Sequence, residues 1–288
     1  MDSLLKSLGS IPSTLLIPLA ARAQGARWFP QLNPHDLCAM PVLEILKANV
    51  QIYFNDWATV LNVLWRTEVI KRAGHQFFEA HPKSTGVNLG SGLSSYFQWL
   101  DNGSNHWIDT DLSEVISLRQ MCFQVVRSHC QDKTINITQL GWWKRLGLPV
   151  GKRAKPVFLI CEGVLMYLTP EQVHAVLEEV GKYAPPGSEI IFDVMSPIGV
   201  GHAAFHPSVG GTGAEFTWGG NNAEQIATAH PRLKVLSQHS VCEAYGLACC
   251  MTELFLTPFT GGPMYGLVHL GLHNYTTTQL HNYTTKQG

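Results

Sequence analysis

The chain has 288 residues and a formal net charge of −1, and only 14% of its residues are charged, against 45% that are apolar. That length suffices for one large or two small domains with a sizeable core. The composition argues against a broad basic surface for nucleic acid, and no apolar run reaches the roughly 18 residues that span a membrane.

The N-terminal segment has two interpretations. Lys6, the apolar stretch 11–20 and the small residues around Arg22 together resemble a secretory signal. Two prolines and the charge of Arg22 interrupt that pattern, whereas Ser13-Thr14 followed by spaced leucines is typical of a capped helix. We therefore predict a first helix that belongs to the fold.

A second helical region follows at 40–73, where apolar residues recur at helical spacing. We interpret residues 1–80 as an N-terminal helical lid. Aromatic side chains in this region, Tyr53 and Trp57 among them, either belong to the core or wall a flat substrate pocket.

Strands and helices alternate through the rest of the chain. Strands are predicted at 86–90, 105–109, 134–138, 156–161, 189–194, 233–238 and 265–272, with helices at 113–126 and 222–229 and a helix opened by Thr169-Pro170. Alternation of this kind predicts an α/β fold with a doubly wound, mostly parallel sheet. The core is placed at 81–272, with a short tail at 273–288.

A cap segment is predicted at about 196–230, because 196–220 is rich in glycine, proline, histidine and aromatic residues. Phe205 and Trp218 are its candidate substrate-binding residues. His202 and His206 are four residues apart, but no Glu or Cys accompanies them, so we predict no metal site.

Seven cysteines are scattered through apolar segments without C-x-x-C spacing. An odd number of isolated cysteines is typical of free thiols in a reducing compartment, so a cytoplasmic location is predicted.

The most informative stretch is 85–111, TGVNLGSGLSSYFQWLDNGSNHWIDTD. A short apolar run ends in Gly90-Ser91-Gly92, a helical segment follows, and a second β-like run ends in Asp109 and Asp111. This order suits a nucleoside ligand, since glycines admit close backbone approach and an acid after the next strand accepts hydrogen bonds from ribose. The full G-x-G-x-x-G signature is absent, which disfavours NAD and favours a mononucleoside such as S-adenosylmethionine.

Three ordered motifs carry a resemblance to a known family: VNLGSGL at 87–93, WIDTDLSEVISLR at 107–119 and EGVLMYL at 162–168. They resemble the leucine carboxyl methyltransferase superfamily, in particular its bacterial tetracenomycin-type O-methyltransferases. The segment TLLIPLAARA at 14–23 is similar to the start of that branch. The resemblance implies a seven-stranded Rossmann-like sheet of the class I methyltransferase type, with S-adenosylmethionine as cofactor and S-adenosylhomocysteine as product.

The resemblance also implies cofactor contacts. Arg66 would hold the cofactor's carboxylate, which a guanidinium fork matches. Gln139 stands where the family has an acid that accepts from the adenine amino group. Glu162, at the tip of a central strand, would accept from the methionine ammonium or the ribose, and Tyr167 would either bond the ligand or cap a loop.

Several family positions differ in this chain. The pattern LGaGLDTR is LGSGLSSY here, so Ser94 and Tyr96 replace an acid and an arginine, and Gln139 and Lys71 are further changes. These departures leave turnover open, while the glycines, Asp111, Glu162 and Arg66 still predict cofactor binding.

Methyl transfer from a sulfonium requires mainly a positioned acceptor and exclusion of water. A carboxylate acceptor needs no base, whereas a phenol benefits from one, and His206, His202, His239 and Tyr245 are the candidates, with His206 preferred. Each histidine is equally well explained as a structural residue.

We therefore predict an O-methyltransferase acting on a carboxylate or phenolic oxygen of a small aromatic or polyketide-like metabolite. The alternatives are an N-methyltransferase or a non-methylating enzyme on a heteroaromatic compound, and a catalytically silent binding protein. The predicted partner is a small molecule, with no nucleic acid and no membrane, and a homodimer is left open.

Overall fold

The computed structural model describes residues 11–48, 56–123 and 129–274. Seven strands form one sheet in the order β3-β2-β1-β4-β5-β7-β6. The strands are β1 Thr85–Leu89, β2 His106–Asp111, β3 Cys130–Thr134, β4 Val157–Cys161, β5 Glu189–Met195, β6 Leu233–Ser240 and β7 Tyr265–Leu272. The first five strands are parallel, and β7 is antiparallel to both β5 and β6.

The helices pack against the sheet and at the carboxyl ends of its parallel strands. They are α1 Ile11–Gln24, α2 Ala39–Leu46, α3 Trp57–Ala80, α4 Phe97–Leu100, α5 Ser113–Cys122, α6 Trp142–Arg145, α7 Pro170–Tyr183, α8 Ala223–Ala227, α9 Cys242–Tyr245 and α10 Leu247–Thr260. The predicted α/β fold with a seven-stranded, mostly parallel sheet is confirmed. No helix in these described ranges is long and apolar enough to cross a membrane.

The central strands explain the local sequence pattern. All five residues of β4 are buried, as expected for a parallel strand covered on both faces. Asn88 of β1 lies opposite Asp109 of β2 and Ile160 of β4, so three neighbouring strands end at one level. The side chains that follow these strands therefore share one edge of the sheet.

The third strand departs from its predicted position. It spans Cys130–Thr134 and not 134–138. As an edge strand paired only with β2 it has a polar sequence, and the buried residues that suggested a strand, Ile135 and Ile137, lie in the loop after it. The prediction was wrong because an edge strand needs no continuous apolar run.

Helix boundaries also show where local signals failed. α1 is already helical at Ile11, so Ser13-Thr14 is not its N-cap. The helix that begins at Pro170 has the predicted cap, in which Thr169 and Gln172 exchange backbone-to-side-chain hydrogen bonds. The region predicted as one or two helices at 40–73 forms α2 and α3.

The N-terminal helices and the predicted cap pack together. One apolar cluster combines Ile17 of α1 and Leu64 of α3 with Val209 and Phe216 of the cap segment. The Asp56 carboxylate, which caps α3, also accepts from the Ser208 hydroxyl at 2.6 Å. The N-terminal helices and the segment predicted as a cap are therefore in contact, and together they cover the carboxyl ends of the strands.

Candidate active site

Two adjoining cavities lie between these covering segments and the carboxyl ends of β1, β2, β4 and β5. One has a volume of about 280 Å³ and the other about 530 Å³. Both are lined by Thr14, Leu15, Gly90, Gly163 and Tyr167, so they are two parts of one cleft. We call them the inner and the outer cavity. Open α/β sheets bind their ligands at this edge.

The glycine turn after β1 forms the floor between the two cavities. Gly90 and Gly92 have φ values of +67° and +51°, where residues with a side chain are strained. A Cβ on Gly90 would overlap Val164, and one on Gly92 would lie 2.9 Å from Leu15. Both positions therefore require glycine and keep the backbone accessible.

Asp111 holds this turn and lines the outer cavity. Its Oδ2 accepts the Gly92 N–H and its Oδ1 accepts the Leu112 N–H, both at 2.8 Å. Burial raises the pKa of Asp111, and the two backbone bonds oppose that rise. Each oxygen keeps a second lone pair for a ligand hydroxyl.

Asp109 was predicted beside Asp111 but lies beneath the turn, outside both cavities. It is 1% exposed, and its oxygens accept from Trp107 Nε1 at 3.0 Å and Arg119 Nη2 at 2.7 Å. The carboxylate sits two residues before the strand's tip, so its hydrogen bonds are internal. Asp109 is a structural residue in this geometry.

Glu162 and Arg66 meet in the inner cavity. Arg66 Nε donates to Glu162 Oε1 at 2.7 Å, and the Tyr96 hydroxyl donates to Oε2 at 2.7 Å. Although burial favours the neutral acid, Arg66 and Arg22 hold the pKa of Glu162 below its ordinary value. Glu162 is therefore an anion next to the space where a ligand would lie.

Asp193 and Tyr265 complete this cluster and were not predicted as site residues. Arg66 Nη1 donates to Tyr265 Oη at 2.7 Å and to Asp193 Oδ2 at 3.2 Å, and the Tyr265 hydroxyl donates to Asp193 Oδ2 at 2.8 Å. Asp193 Oδ1 accepts the Gly163 N–H at 2.7 Å. The position of Asp193 at the end of a predicted central strand was the one local signal for this cluster.

Arg22 is the other residue missed, although it belongs to the motif TLLIPLAARA. It lines the inner cavity and is 3% exposed. Its Nη1 lies 3.5 Å from Glu162 Oε1 and its Nε lies 3.2 Å from Asp36 Oδ2, yet neither nitrogen makes a well-aligned hydrogen bond. Ser91 Oγ, also at the cavity, is buried without a partner in the described ranges. Unmet donors of this kind indicate a polar ligand.

Gln139, which the family resemblance placed at the adenine amino group, is exposed and lines neither cavity. Asn136, which was not predicted as a site residue, lines the outer cavity, because β3 ends at Thr134 and Asn136 is the polar residue that follows its tip. Tyr167 lines both cavities, and burial raises its pKa to about 12.

Of the four predicted bases, only His206 lines the inner or the outer cavity. His202 is exposed, with Nδ1 2.9 Å from Val200 O, and His239 pairs with Glu243. The Tyr245 hydroxyl lies 3.4 Å from Asn62 Oδ1, and Asn62, not Tyr245, lines the inner cavity.

The described aromatic residues that were predicted to bind the substrate, Trp57, Phe205 and Trp218, do not line the inner or the outer cavity. Trp57 is 57% exposed and packs edge-on against Tyr245, and Phe205 is 83% exposed. Trp218 faces a separate surface groove beside α7 and α8. Tyr53 lies outside the described residues. Apolar side chains from several elements line the inner cavity instead: Ile17, Val63, Met166, Met195, Val209, Phe216 and Met264.

Ser94 and Tyr96, which replace the family's acid and arginine after the glycine turn, do not block either cavity. Ser94 Oγ donates to Ser91 O at 2.8 Å and accepts from Asn88 Nδ2 at 3.1 Å. Tyr96 is fully buried behind Glu162 and does not line either cavity. The cleft therefore stays open.

The sequence is similar to those of known proteins. A family model described as leucine carboxyl methyltransferase matches residues 24–181. The tetracenomycin polyketide synthesis O-methyltransferase TcmP of Streptomyces glaucescens is 26% identical over 246 residues, covering 84% of this chain and 87% of the relative. The S-adenosyl-L-methionine-dependent methyltransferase dpfgK of Gibberella zeae is also 26% identical, over 83% of this chain and 85% of its own length.

The fold has a counterpart among solved structures. A putative methyltransferase from Thermobifida fusca superposes with a TM-score of 0.51 at 12% identity, covering 90% of this chain and 94% of that one. At that identity the similarity concerns the fold alone.

Proposed function

This chain belongs to the leucine carboxyl methyltransferase family and is an S-adenosylmethionine-dependent methyltransferase, and we propose that its acceptor is a carboxylate of a small, largely apolar metabolite. The observation that carries the proposal is the inner cavity. It adjoins the Glu162 cluster, and among the described residues that line it no side chain is free to act as a base.

The cleft fits the cofactor on the structure's own evidence. Asp111 has lone pairs for ribose hydroxyls, and Asn136 offers an amide to the base. Glu162 suits the methionine ammonium, and Arg22 and Arg66 suit its carboxylate, since Arg22 has unmet donors. The bound cofactor would supply a methyl group on a sulfonium, which is already activated for transfer.

The inner cavity is suited to an acceptor with an apolar body and one polar group. Its apolar lining is interrupted by Thr59, Asn62 and His206. The cavity has a volume of about 280 Å³, just below the usual range for small-molecule pockets, and it would also hold the methionine end of the cofactor at Glu162 and Arg22. The space that is left favours a small acceptor. A relative named for polyketide synthesis is consistent with a metabolite of this kind.

His206 acts as a donor in this geometry and not as a base. Its Nδ1 lies 3.3 Å from the backbone N–H groups of both Ser208 and Val209, so Nδ1 is the acceptor and the ring proton sits on Nε2. Burial lowers the pKa of His206, although Asp56 opposes this, so the ring is neutral at pH 7. The base role predicted for it is replaced by hydrogen-bond donation to the acceptor.

The other candidates are equally unsuited to remove a proton. Glu162 is an anion already bound by Arg66 and Tyr96. Tyr167 has a pKa of about 12 and stays protonated. A phenol, with an ordinary pKa of about 10, would need help to ionise, whereas a carboxylate is ionised at neutral pH. The residues then orient the acceptor, neutralise neighbouring charge and exclude water.

The test compares two acceptors on one aromatic scaffold, one with a single carboxylate and the other with a single phenol. The purified protein is incubated with S-adenosylmethionine labelled on the methyl group, and the product is treated with mild alkali. A methyl ester releases labelled methanol, whereas an aryl methyl ether does not. We expect alkali-labile product from the acid and none from the phenol.

Two further results are decisive. Alkali-stable product from the phenol, with none from the acid, would overturn the carboxylate assignment. Tight binding of S-adenosylhomocysteine without transfer to any of a broad panel of acids would favour the silent binding protein. Glu179→Gln, which changes a buried carboxylate away from the cleft, is the control for non-specific loss of activity.

A further inference from the structure

Helix α10 presents its apolar residues to solvent. None of its 14 residues is buried, and its sequence is LACCMTELFLTPFT. The most exposed large side chains are Leu247 at 78%, Met251 at 59%, Leu254 at 67%, Phe255 at 77% and Phe259 at 83%. Their spacing of three and four places them on one side of the helix.

The opposite side of α10, which faces the body of the protein, is the more polar one. Its half-buried residues are Cys249, Cys250, Glu253, Thr257 and Thr260. A surface helix of a monomer has the reverse arrangement, with apolar residues inward and polar residues outward. The inverted pattern indicates that a second surface covers α10.

The exposed area matches a specific protein interface. With Leu256, which is 44% exposed, six side chains of α10 together expose on the order of 800 Å², taking about 200 Å² for each fully exposed side chain. A standard interface buries roughly 800 Å² per partner. Met264, 52% exposed, adjoins the C-terminal end of α10, and Trp57, which packs on Tyr245, adjoins its N-terminal end.

The charge pattern favours a protein surface over a lipid one. No Lys or Arg occurs between Val235 and Asn274, and Glu253 is the single charged residue of α10. Helices that bind at membrane interfaces carry cations on their polar side, which this helix lacks. Two identical copies could meet here without repulsion, because Glu253 points away from the exposed side.

The chain's own ends are less suitable covers. Residues 275–288 hold one leucine and two tyrosines among polar residues, and residues 1–10 hold three leucines. Neither end offers aromatic and aliphatic groups to match the six on α10, and residues 49–55 hold four such groups, Val50, Ile52, Tyr53 and Phe54. A second α10 offers all six, since an interface around a two-fold axis pairs a surface with itself.

We propose that α10 is the interface of a homodimer in which the helices of two copies pack against each other across a two-fold axis near Leu254. The six exposed side chains of α10 line neither the inner nor the outer cavity, so this inference does not depend on the acceptor assigned above. Because Asn62 contacts Tyr245 just before α10, the dimer would lie beside the wall of the inner cavity.

The test is sedimentation equilibrium of the full chain, whose mass is 31.8 kDa, over micromolar concentrations. We expect the wild type to sediment as two chains. Leu254→Glu and Phe255→Glu should each raise the dimer Kd at least about 100-fold, because each change occurs twice in a buried, isologous contact. Leu140→Glu, at a residue 75% exposed in the loop before α6, should leave it unchanged.

Two controls keep the interpretation unambiguous. Circular dichroism and S-adenosylhomocysteine titration should show that both variants remain folded. Flotation with phosphatidylcholine vesicles separates a lipid-binding helix from a dimer. A monomeric wild type, a dimer that both α10 variants retain, or a wild type that floats with vesicles as a monomer would each overturn the proposal.

Discussion

Buried Arg119 and half-buried Arg66 lie on either side of the glycine turn, and they differ in which of their N–H groups have no acceptor. Arg119 lies behind the turn and donates to Asp109, Asp132, Gly92 O and Ser94 O at 2.6 to 3.2 Å. Arg66 lies in the cleft and donates to Glu162, Asp193 and Tyr265 through Nε and Nη1, while its Nη2 has no acceptor among the described residues.

Whether all the N–H groups of an arginine have acceptors within the chain distinguishes a structural ion pair from a functional one. Each arginine lies next to two carboxylates, with 2% of the Arg119 side chain exposed and 11% of the Arg66 side chain, so charge alone does not distinguish them. Arg119 is satisfied by the chain itself and fixes the backbone of the turn. The Arg66 cluster, together with Arg22, retains unmet donors at the cavity, which is where a ligand supplies the missing acceptors.

The largest expected effect is the loss of stability on replacing Arg119, the structural arginine. Arg119→Met should lower the free energy of unfolding by about 3–5 kcal/mol, because it leaves Asp109 as an uncompensated buried charge. Urea denaturation followed by circular dichroism measures this loss. Arg153→Met, at an exposed arginine, should change stability by less than about 0.5 kcal/mol. Equal stability of the two variants would contradict the structural role of Arg119.

Next in size is the charge of Glu162. Glu162→Gln should weaken S-adenosylhomocysteine binding roughly 100-fold, since a charge-assisted hydrogen bond contributes about 1.5–3 kcal/mol. Calorimetric titration gives the affinity, with Glu179→Gln as the matched buried control. If Glu162→Gln binds as tightly as the wild type, the ligand ammonium does not lie at this carboxylate.

Asp109 and Asp111, both in β2, test the same distinction between a structural residue and a ligand-binding residue. Asp111→Asn should weaken S-adenosylhomocysteine about 10-fold, because one ribose acceptor is altered at the cavity, and should lower stability only through the one backbone hydrogen bond that the new amide nitrogen no longer accepts. Asp109→Asn should lower stability, because it removes the charge that Arg119 faces. Measuring affinity and unfolding for both variants tests the assignment, and a reversal of the two patterns would show that the wrong acid was chosen.

The smallest effect concerns His206. His206→Ala should lower kcat/KM about 10-fold on a carboxylate through loss of one hydrogen bond to a charged group, His206→Gln should restore part of it, and His202→Ala should have little effect. With a carboxylate acceptor, activity should stay flat between pH 7 and 9. A rate that rises across that range and vanishes in His206→Ala would restore the base role.

His206 should also make the stability of the protein depend on pH. Its folded pKa is lowered from 6.5 by burial, so the unfolded chain binds more protons as the pH falls below 6.5. The wild type should therefore lose stability on acidification in that range, and His206→Ala should lose less. Unfolding curves at pH 7 and pH 5.5 test the sign.

The predicted residues that the structure places at the cleft are those whose position a short segment determines. The glycine turn and Asp111 lie within residues 85–111, and their spacing follows from one strand, one helix and the next strand. Glu162 follows a strand whose apolar run identifies it. Gln139 was placed by its match to the family motif alone, and in the structure it lies outside the cleft, because the polar residue that follows β3 into the outer cavity is Asn136.

The residues alone were enough to predict the α/β fold and the family, and to place the glycine turn, Asp111 and Glu162 at strand ends, because the ends of parallel strands lie at one edge of a sheet. The folded structure was needed to show that Arg22, Asp193 and Tyr265 join Arg66 and Glu162. It also decided that Asp109 is internal and that α10 turns its apolar side outward. These facts depend on which faces of distant elements pack together, and periodicity within a segment does not encode that choice.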